Sequence, residues 1–269
     1  MKICLFLFTV STLLISQIGG GVYGQVGLSV SPPRVYYSLA AGESGVQGLL
    51  INNISKEHPL DLAITFGDWL YDEYGNNVTM PPDSLENSCA SWLTMQGGTY
   101  LTLQPGENRQ IELMMNVPPS VSTDRNVQTA MVYVTQMNPV DGVDSQGAAI
   151  RINVRQGIKV YRRGLLAERR ELEIEDMTLN RESNHIVVAF NNKGNIWTDG
   201  VIKTTIFNRT TGKETNLGEV PFFTMPGNHR KMMISTGEKL ERGDYTATVI
   251  LDYGDEATLE AAELEFRHE

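Results

Sequence analysis

The segment Ala148–Arg163 reads AAIRINVRQGIKVYRR and carries the clearest strand pattern of this chain. Its apolar side chains occupy alternate positions on both sides of a short polar interruption; they are Ile150, Ile152, Val154, Ile158 and Val160. A period of two is typical of a β-strand with one apolar and one polar face. Such a strand can pack its apolar row on its own core, or it can lend that row and its backbone groups to the sheet edge of another protein. The pattern alone leaves both uses open.

The first residues have the features of an export signal. Lys2 supplies a positive charge, and the apolar stretch Ile3–Ile18 follows it. Small or tolerated residues at Val22–Gly24 offer a cleavage point before Gln25. The sequence therefore predicts a signal peptide over 1–24, with an uncleaved membrane anchor as the alternative. No later segment has the roughly 20 apolar residues that a membrane helix needs, so we expect no stable membrane insertion of the mature chain.

Charge and cysteine content limit the class of protein. The formal net charge is −10 and the pI is about 5.0, so a general nucleic-acid surface is not expected. Of the two cysteines, Cys4 lies in the predicted signal, which leaves Cys89 without a partner for an internal disulfide. An exported protein without a disulfide fits a bacterial envelope.

Short predicted strands separated by turn residues fill the rest of the chain, and helical periodicity is nearly absent. The first series is predicted at Val26–Ser31, Arg34–Leu39, Gly48–Ile51, Leu60–Trp69, Leu101–Leu103, Gln110–Val117, Val127–Gln136 and Ala148–Tyr161. A polar joint over Arg162–Glu173 follows it. The second series is predicted at Leu172–Leu179, His185–Phe190, Val201–Phe207, Gly218–Phe223, Lys231–Ser235, Tyr245–Asp252 and Leu259–Phe266.

Regularly spaced strands without intervening helices are typical of sandwiches made of antiparallel sheets. The second series has the size of one immunoglobulin-like domain. We therefore expect an all-β chain in which the signal peptide precedes two tandem immunoglobulin-like β-sandwich domains, over 25–163 and 164–269.

The order of several short motifs in residues 28–163 resembles that of the periplasmic pilus-assembly chaperones of the PapD type. Each motif is common alone, but their order and spacing together are much more specific. The motifs are Ser31–Val35 (SPPRV), Leu49–Asn53 (LLINN), Ala90–Leu93 (ASWL), Leu103–Glu107 (LQPGE), Thr123–Arg125 (TDR) and Ile150–Arg163. The second half matches this family only as a generic immunoglobulin-like sandwich.

The resemblance implies a function in fibre assembly. Chaperones of this family capture, fold and cap pilus or fimbrial subunits, whose sandwiches lack a final strand, by donating an alternating strand of their own. The donated row here would be Ile150, Ile152 and Val154. The expected partner is a pilin or another fibre subunit, and the participation of an outer-membrane usher stays open. No cofactor is expected.

The resemblance also assigns roles to three basic residues. Arg34 and Lys159 match the pair that binds the C-terminal carboxylate of the subunit, a group that accepts charge-assisted hydrogen bonds from both. Arg163 matches an arginine that helps to lock the two domains through an ion-pair network. The acidic partner that the family places after the Asp-Arg pair is here Asn126, so this network is expected to be incomplete or rebuilt.

Other classes of function have less support in the sequence. The four histidines are isolated, so no metal site is predicted. A carboxylate pair such as Asp68 and Asp72 is expected by chance in an acidic chain, and Cys89 is expected to be buried. No enzyme activity is therefore predicted. The alternative is a carbohydrate-binding, adhesive or structural envelope protein, in which Trp69, Tyr71 and Tyr74 would form an aromatic platform.

Overall fold

The computed structural model of this protein describes residues 27–122, 125–143, 148–237, 240–254 and 259–268. The predicted signal peptide (1–24), Thr123 and Asp124 of the TDR motif lie outside the described residues. Within the described ranges, no helix is both long enough and apolar enough to cross a membrane.

In the described residues of the first half, the chain forms strands β1–β12 and one 3-10 turn, Ala90–Trp92. The strands are β1 (Leu28–Ser31), β2 (Arg34–Ser38), β3 (Ser44–Asn53), β4 (Leu60–Tyr71), β5 (Asn77–Met80), β6 (Leu93–Met95), β7 (Tyr100–Leu103), β8 (Asn108–Asn116), β9 (Val127–Gln136), β10 (Val140–Val143), β11 (Ala149–Ile152) and β12 (Arg155–Arg163).

Two sheets of this first half enclose one apolar core. One sheet has the strand order β1-β3-β8-β6, and the other has the order β2-β12-β9-β4-β5, with β7 also paired to β4. Strand β2 runs parallel to β12. Fully buried side chains such as Leu49, Leu113, Val132 and Ile158 fill the space between the sheets. Their alternation along each strand places one face of each sheet in this core.

The second half is a smaller sandwich. Its strands are β13 (Leu172–Asn180), β14 (His185–Asn192), β15 (Thr198–Asn208), β16 (Glu214–Thr224), β17 (His229–Ser235), β18 (Gly243–Asp252) and β19 (Glu260–His268). A three-stranded sheet of order β13-β14-β17 faces a four-stranded sheet of order β16-β15-β18-β19. The Tyr245 hydroxyl donates to the Glu241 carbonyl oxygen at 2.7 Å, a contact typical of the tyrosine corner of immunoglobulin-like domains. The expected all-β, two-sandwich fold class is therefore confirmed.

The prediction of one continuous strand from Ala148 to Tyr161 is wrong. The segment forms two strands, because the chain leaves the strand conformation at Asn153 and Val154. Strand β11 pairs with β10 in a separate two-stranded sheet, whereas β12 pairs with β9 inside the first sandwich. Alternation along a sequence does not reveal which neighbour a strand pairs with, so this break could not be detected from the pattern.

The assignment of Arg162 to a polar joint is also wrong. Arg162 belongs to β12 and is buried; its Nη1 donates to Gln128 Oε1 at 2.6 Å and its Nη2 to the Leu39 carbonyl oxygen at 2.6 Å. These bonds explain how a guanidinium can lie inside the sandwich, since buried charges need polar partners.

A third apolar cluster joins the two sandwiches. Trp69, Tyr161, Ile196 and Met225 are buried in it, and Tyr71, Trp197 and Phe223 pack against it. Because side chains alternate along β12, Ile158 and Val160 face the core of the first sandwich while Tyr161 faces this cluster. The contact between the sandwiches is therefore aromatic and lies on the face of β12 opposite to the core.

Candidate functional site

Arg34 and Lys159 lie side by side. Strand β2 is parallel to β12, and its first residue, Arg34, is the register partner of Lys159. Paired residues of neighbouring strands project from the same face of a sheet, so both cations are on the face that carries Tyr161. The structure thus brings together the two residues for which the sequence predicted a shared role.

Lys159 is a buried cation among aromatic rings. It is only 9% exposed, and its Nζ donates to Tyr71 Oη at 2.8 Å. The ammonium lies 3.9 Å from the centre of the Trp69 ring and 4.1 Å from that of Tyr71, within the range of cation–π attraction. Burial, and secondly the charge of Arg34, lower the pKa of Lys159 from 10.5 to about 8.

Arg34 is the exposed member of the pair. Its guanidinium carbon lies 5.3 Å from the centre of the Phe223 ring, which belongs to the second sandwich. In the described part of the chain, neither Arg34 nor Lys159 forms a salt bridge with a carboxylate. Two neighbouring cations without an anionic partner, one of them in a dry aromatic setting, form a site that favours an incoming anion.

A cleft of about 710 Å³ opens beside this pair, between the two sandwiches. Residues of both sandwiches line it, including Arg34 and Tyr36 from the first and Trp197, Phe223 and Arg230 from the second. The cleft gives an extended ligand access to Arg34 from solvent, because that side chain is exposed at its wall.

The predicted donor row is accessible to solvent. Ile150 is 37% exposed and Ile152 is 36% exposed, although both are large apolar side chains, and Val154 is half-buried. They are absent from the apolar clusters of both sandwiches. The first use that the sequence left open, packing on the protein's own core, is therefore not what Ile150 and Ile152 do.

The backbone next to this row also has an open side. Strand β2 pairs with β12 only along Lys159–Arg163, whereas β9 pairs with β12 along its whole length, from Arg155. Within the described residues, the β2 side of Arg155–Ile158 therefore has no hydrogen-bonded strand partner; β1 lies close to it, and the Gln156 side chain bonds both backbone groups of Val30 in that strand. An unpaired edge of this kind is where a further strand can be added.

Arg163 forms an ion pair close to the sandwich connection. It pairs with Glu168, which lies in the segment between β12 and β13, and its Nε donates to Ser38 Oγ at 3.3 Å. Asn126 does not take part: it is buried, and neither its Oδ1 nor its Nδ2 has a hydrogen-bond partner. The ion pair of Arg163 thus uses an acid of the connecting segment in place of the residue after Arg125.

A contact between the sandwiches that the sequence did not indicate involves the turn between β4 and β5. The Lys231 amide donates to the Glu73 carbonyl oxygen at 2.6 Å, and Lys231 Nζ pairs with Glu73 Oε2 at 2.7 Å. Next to it, Gly75 lies against Arg230 of β17. The basic pair Arg230-Lys231, at the start of the predicted strand Lys231–Ser235, was the only signal, and no motif gave it a meaning.

The residues considered for other functions have structural roles. Trp69 is buried, with its Nε1 donating to the Ala130 carbonyl oxygen at 2.9 Å. The Tyr71 ring is half-buried and stands at 83° to the Trp69 ring, whereas Tyr74 is exposed, so the three rings do not form one exposed platform. Asp68 is buried and accepts hydrogen bonds from the backbone amides of Ser84 and Leu85.

Cys89 and the possible metal ligands were also considered for other functions. Cys89 is buried, and this burial raises the pKa of its thiol. Among the described residues, no three histidine, cysteine or acidic side chains come together in a way that could hold a metal ion.

Comparison with known proteins gives structural likenesses only. No family model matches this chain, and no curated protein matches it. It is similar to the class 5 fimbriae chaperone CfaA, with 12% identity over 89% of this chain and 98% of that one and a TM-score of 0.47. It is also similar to the Escherichia coli chaperone DraB (16% identity, 89% and 98% covered, TM-score 0.45). A third likeness is to a structure of the CsuC–CsuE pre-assembly complex of a chaperone and a tip adhesion subunit from Acinetobacter baumannii (11% identity, 88% and 97% covered, TM-score 0.44). The chain is thus similar over nearly its full length to solved pilus chaperones, at low identity.

Proposed function

We propose that this chain is a periplasmic chaperone that captures, folds and caps subunits of a pilus, fimbria or related surface fibre. One arrangement carries the proposal: the exposed Ile150 and Ile152 of β11 are followed in the chain by the unpaired edge of β12, which leads to the buried Lys159 and its neighbour Arg34. A hydrophobic row, free backbone groups and an anion site that follow one another on one segment are what an unfinished sheet of another protein requires.

The apolar row supplies the contact with the groove of the subunit. Completely burying an Ile or Val side chain is worth about 1.5–3 kcal/mol, and roughly a third of Ile150 and of Ile152 is exposed before capture. The gain from these side chains is therefore about 1–2 kcal/mol before the cost of association. Backbone hydrogen bonds along the open edge of β12 add to it, so the strand as a whole is the binding element.

In this proposal the two cations fix the register in which the subunit pairs with the donated strand. A carboxylate at the end of the subunit chain accepts charge-assisted hydrogen bonds from Lys159 and Arg34. Fixing that terminus fixes the pairing of every later residue, and a slip by one residue would turn all subunit side chains to the wrong face. Arg163, with Glu168, stiffens the connection between the sandwiches in this proposal.

The remaining parts of the proposal concern the setting. A signal peptide (1–24) directs export to the periplasm of a Gram-negative bacterium, and two domains, over 25–163 and 164–269, make up the mature chain. The partner is a pilin or other fibre subunit, passed on to an outer-membrane usher where one exists. The chaperone needs no cofactor, performs no catalysis, and neither binds nucleic acid nor inserts into the membrane.

Subunit capture with a matched lysine control tests this function. Lys159→Met removes the buried ammonium, whereas Lys193→Met removes an exposed lysine that pairs with Glu173. We expect purified wild-type protein and the Lys193→Met variant to retain a bound subunit from an envelope extract and to protect it from protease. The Lys159→Met variant should fold but lose the subunit. Equal capture by both variants, or glycan binding by the chain alone in place of subunit capture, would contradict the proposal.

A further inference from the structure

A third cation faces the cleft that Arg34 lines. Arg230, on β17 of the second sandwich, is only 6% exposed. Its Nη1 donates to the Phe223 carbonyl oxygen at 2.9 Å, and its guanidinium carbon lies 5.5 Å from the centre of the Tyr71 ring. Its Nε is buried and has no hydrogen-bond partner. Arg230 lines the cleft, where a further acceptor can approach its guanidinium.

The three cations surround one pair of rings. Lys159 Nζ lies 4.1 Å from the centre of Tyr71, and Arg230 lies on the same ring at 5.5 Å. Arg34 lies 5.3 Å from the centre of Phe223, and the two ring centres are 6.0 Å apart.

The charge around these rings is not balanced. None of the three cations forms a salt bridge in the described part of the chain, although the neighbouring Lys231 does, with Glu73. Two carboxylates are near: Asp199 lines the cleft but is exposed, and Asp72 acts on Arg230 electrostatically while it accepts hydrogen bonds from its own turn. Neither forms a salt bridge with the three cations, and two carboxylates against three cations leave a net positive charge there.

Arg230 is also held in place before any ligand arrives. The turn between β4 and β5 packs against one side of it, so that a Cβ on Gly75 would collide with its Nη2. Tyr71 and the Phe223 carbonyl oxygen contact it from further sides, and it lines the cleft together with Arg34. A charge fixed in this way costs little further ordering when it binds a ligand, which favours a role in recognition.

We infer that the cleft accepts two carboxylates of one client, the terminal carboxylate at Arg34 and Lys159 and an acidic side chain among the client's last three residues at Arg230. This inference rests on the proposed function and adds a rule for client choice: subunits with an acidic residue close to the C-terminus are preferred. Arg230 would then be a specificity-determining residue supplied by the second sandwich.

Synthetic peptides test the inference without a known client. The probe is a soluble ten-residue peptide with alternating Val and Thr, a free C-terminus and Gln at its last three positions. Three further peptides each carry Glu in place of one Gln, and every peptide is also made with an amidated C-terminus. Affinities for the full mature chain are measured by fluorescence anisotropy, with Arg230→Gln as the test variant and Arg209→Gln, at an exposed arginine paired with Glu265, as the control.

The wild type and Arg209→Gln should bind at least one Glu peptide about tenfold more tightly than the Gln peptide. Arg230→Gln should bind both alike. Equal binding of all free-acid peptides by the wild type overturns the inference even if Arg230→Gln does not fold, and so does a preference that persists in Arg230→Gln. Amidation tests the proposed function separately: if it weakens binding while Glu brings no gain, only the inference fails, whereas no effect of amidation removes the carboxylate anchor on which both depend.

Discussion

Lys159 Nζ donates its hydrogen bond to Tyr71 Oη at 2.8 Å, a neutral acceptor. In folded proteins a buried ammonium usually pairs with a carboxylate, because removing a charge from water is costly. Here the aromatic rings and one hydroxyl compensate part of that cost, and the rest appears as the lowered pKa of Lys159. In the proposed function an anion from outside completes this site, and the predictions that follow depend on it.

Capture should weaken in alkaline solution while the free protein becomes more stable. The pKa of Lys159 is about 8 in the folded chain, whereas an unperturbed lysine, as in the unfolded chain, has a pKa of 10.5. Between these two pH values the unfolded chain therefore binds more protons than the folded chain. The free energy of unfolding therefore rises with pH across that window. Binding of a carboxylate requires the charged amine and should fall by about tenfold per pH unit above 8. Chemical denaturation and peptide titration from pH 7 to 10 measure the two trends.

The variant Lys159→Met serves as the control for these trends, because it has no amine to titrate. Its free energy of unfolding should not rise between pH 8 and 10, and its weak peptide binding should not change with pH. If the wild type binds equally well at pH 7 and pH 10, the ammonium of Lys159 is not the group that holds the carboxylate.

Replacing Tyr71 by Phe should move the pH at which binding is lost. The substitution removes the hydroxyl that accepts the hydrogen bond of Lys159 Nζ and leaves the ring in place. A hydrogen bond to the charged form favours that form, so its loss lowers the pKa of Lys159 further. Peptide binding by Tyr71→Phe should therefore be lost at a lower pH than in the wild type. An unchanged pH profile would show that the hydroxyl does not support the charge.

An acidic side chain at Ile152 should affect capture far more than folding. Ile152 lies in the exposed hairpin strand β11, so Ile152→Asp should change the free energy of unfolding by no more than about 0.5 kcal/mol. The matched change Ile158→Asp places a charge in the core of the first sandwich and should cost about 4 kcal/mol or more. Urea denaturation and subunit pull-down compare the two. A large loss of stability in Ile152→Asp with normal capture by the folded fraction would assign this strand to the protein's own core.

Adding a methyl group at Gly75 should disturb the contact between the sandwiches. Gly75 has φ +88°, and Gly97 has φ +86°, so alanine at either position carries a similar backbone strain of about 1–2 kcal/mol. Only at Gly75 does the new Cβ meet another group, the Arg230 guanidinium, while nothing lies within 4 Å at Gly97. We expect Gly75→Ala to lose more stability than Gly97→Ala and to lose the preference for Glu peptides. Equal losses in both variants would mean that Arg230 moves aside without consequence.

Elements that show a local sequence pattern could be predicted from the sequence alone. Strand β9 and the strands of the second sandwich were predicted close to their observed positions, except that β16 begins four residues before its predicted start, because alternation and turn residues depend only on near neighbours. Lys159, between Ile158 and Val160, could be singled out because a charge between two core positions has to face something other than the core.

Features that depend on pairing partners were not predictable in this way. Whether β11 continues into β12 or turns to pair with β10 is decided by contacts between distant backbone groups. The short strands β5 and β6 are too brief to show a period. Arg230 shares no motif with Arg34, and only the packing of the second sandwich against Tyr71 brings the two to one cleft.

Hydrogen exchange of the segment 149–158 in the presence and absence of a captured subunit tests the central claim most directly. Strands β9 and β10 already pair with part of this segment, so the test concerns the amides that they leave unpaired. If the segment is donated to a foreign sheet, these unpaired amides exchange quickly in the free protein and slowly in the complex, while the amides of β9 change little. If the unpaired amides exchange at the same rate in both states, the account is contradicted, since a strand that gains no hydrogen bonds on capture is not donated.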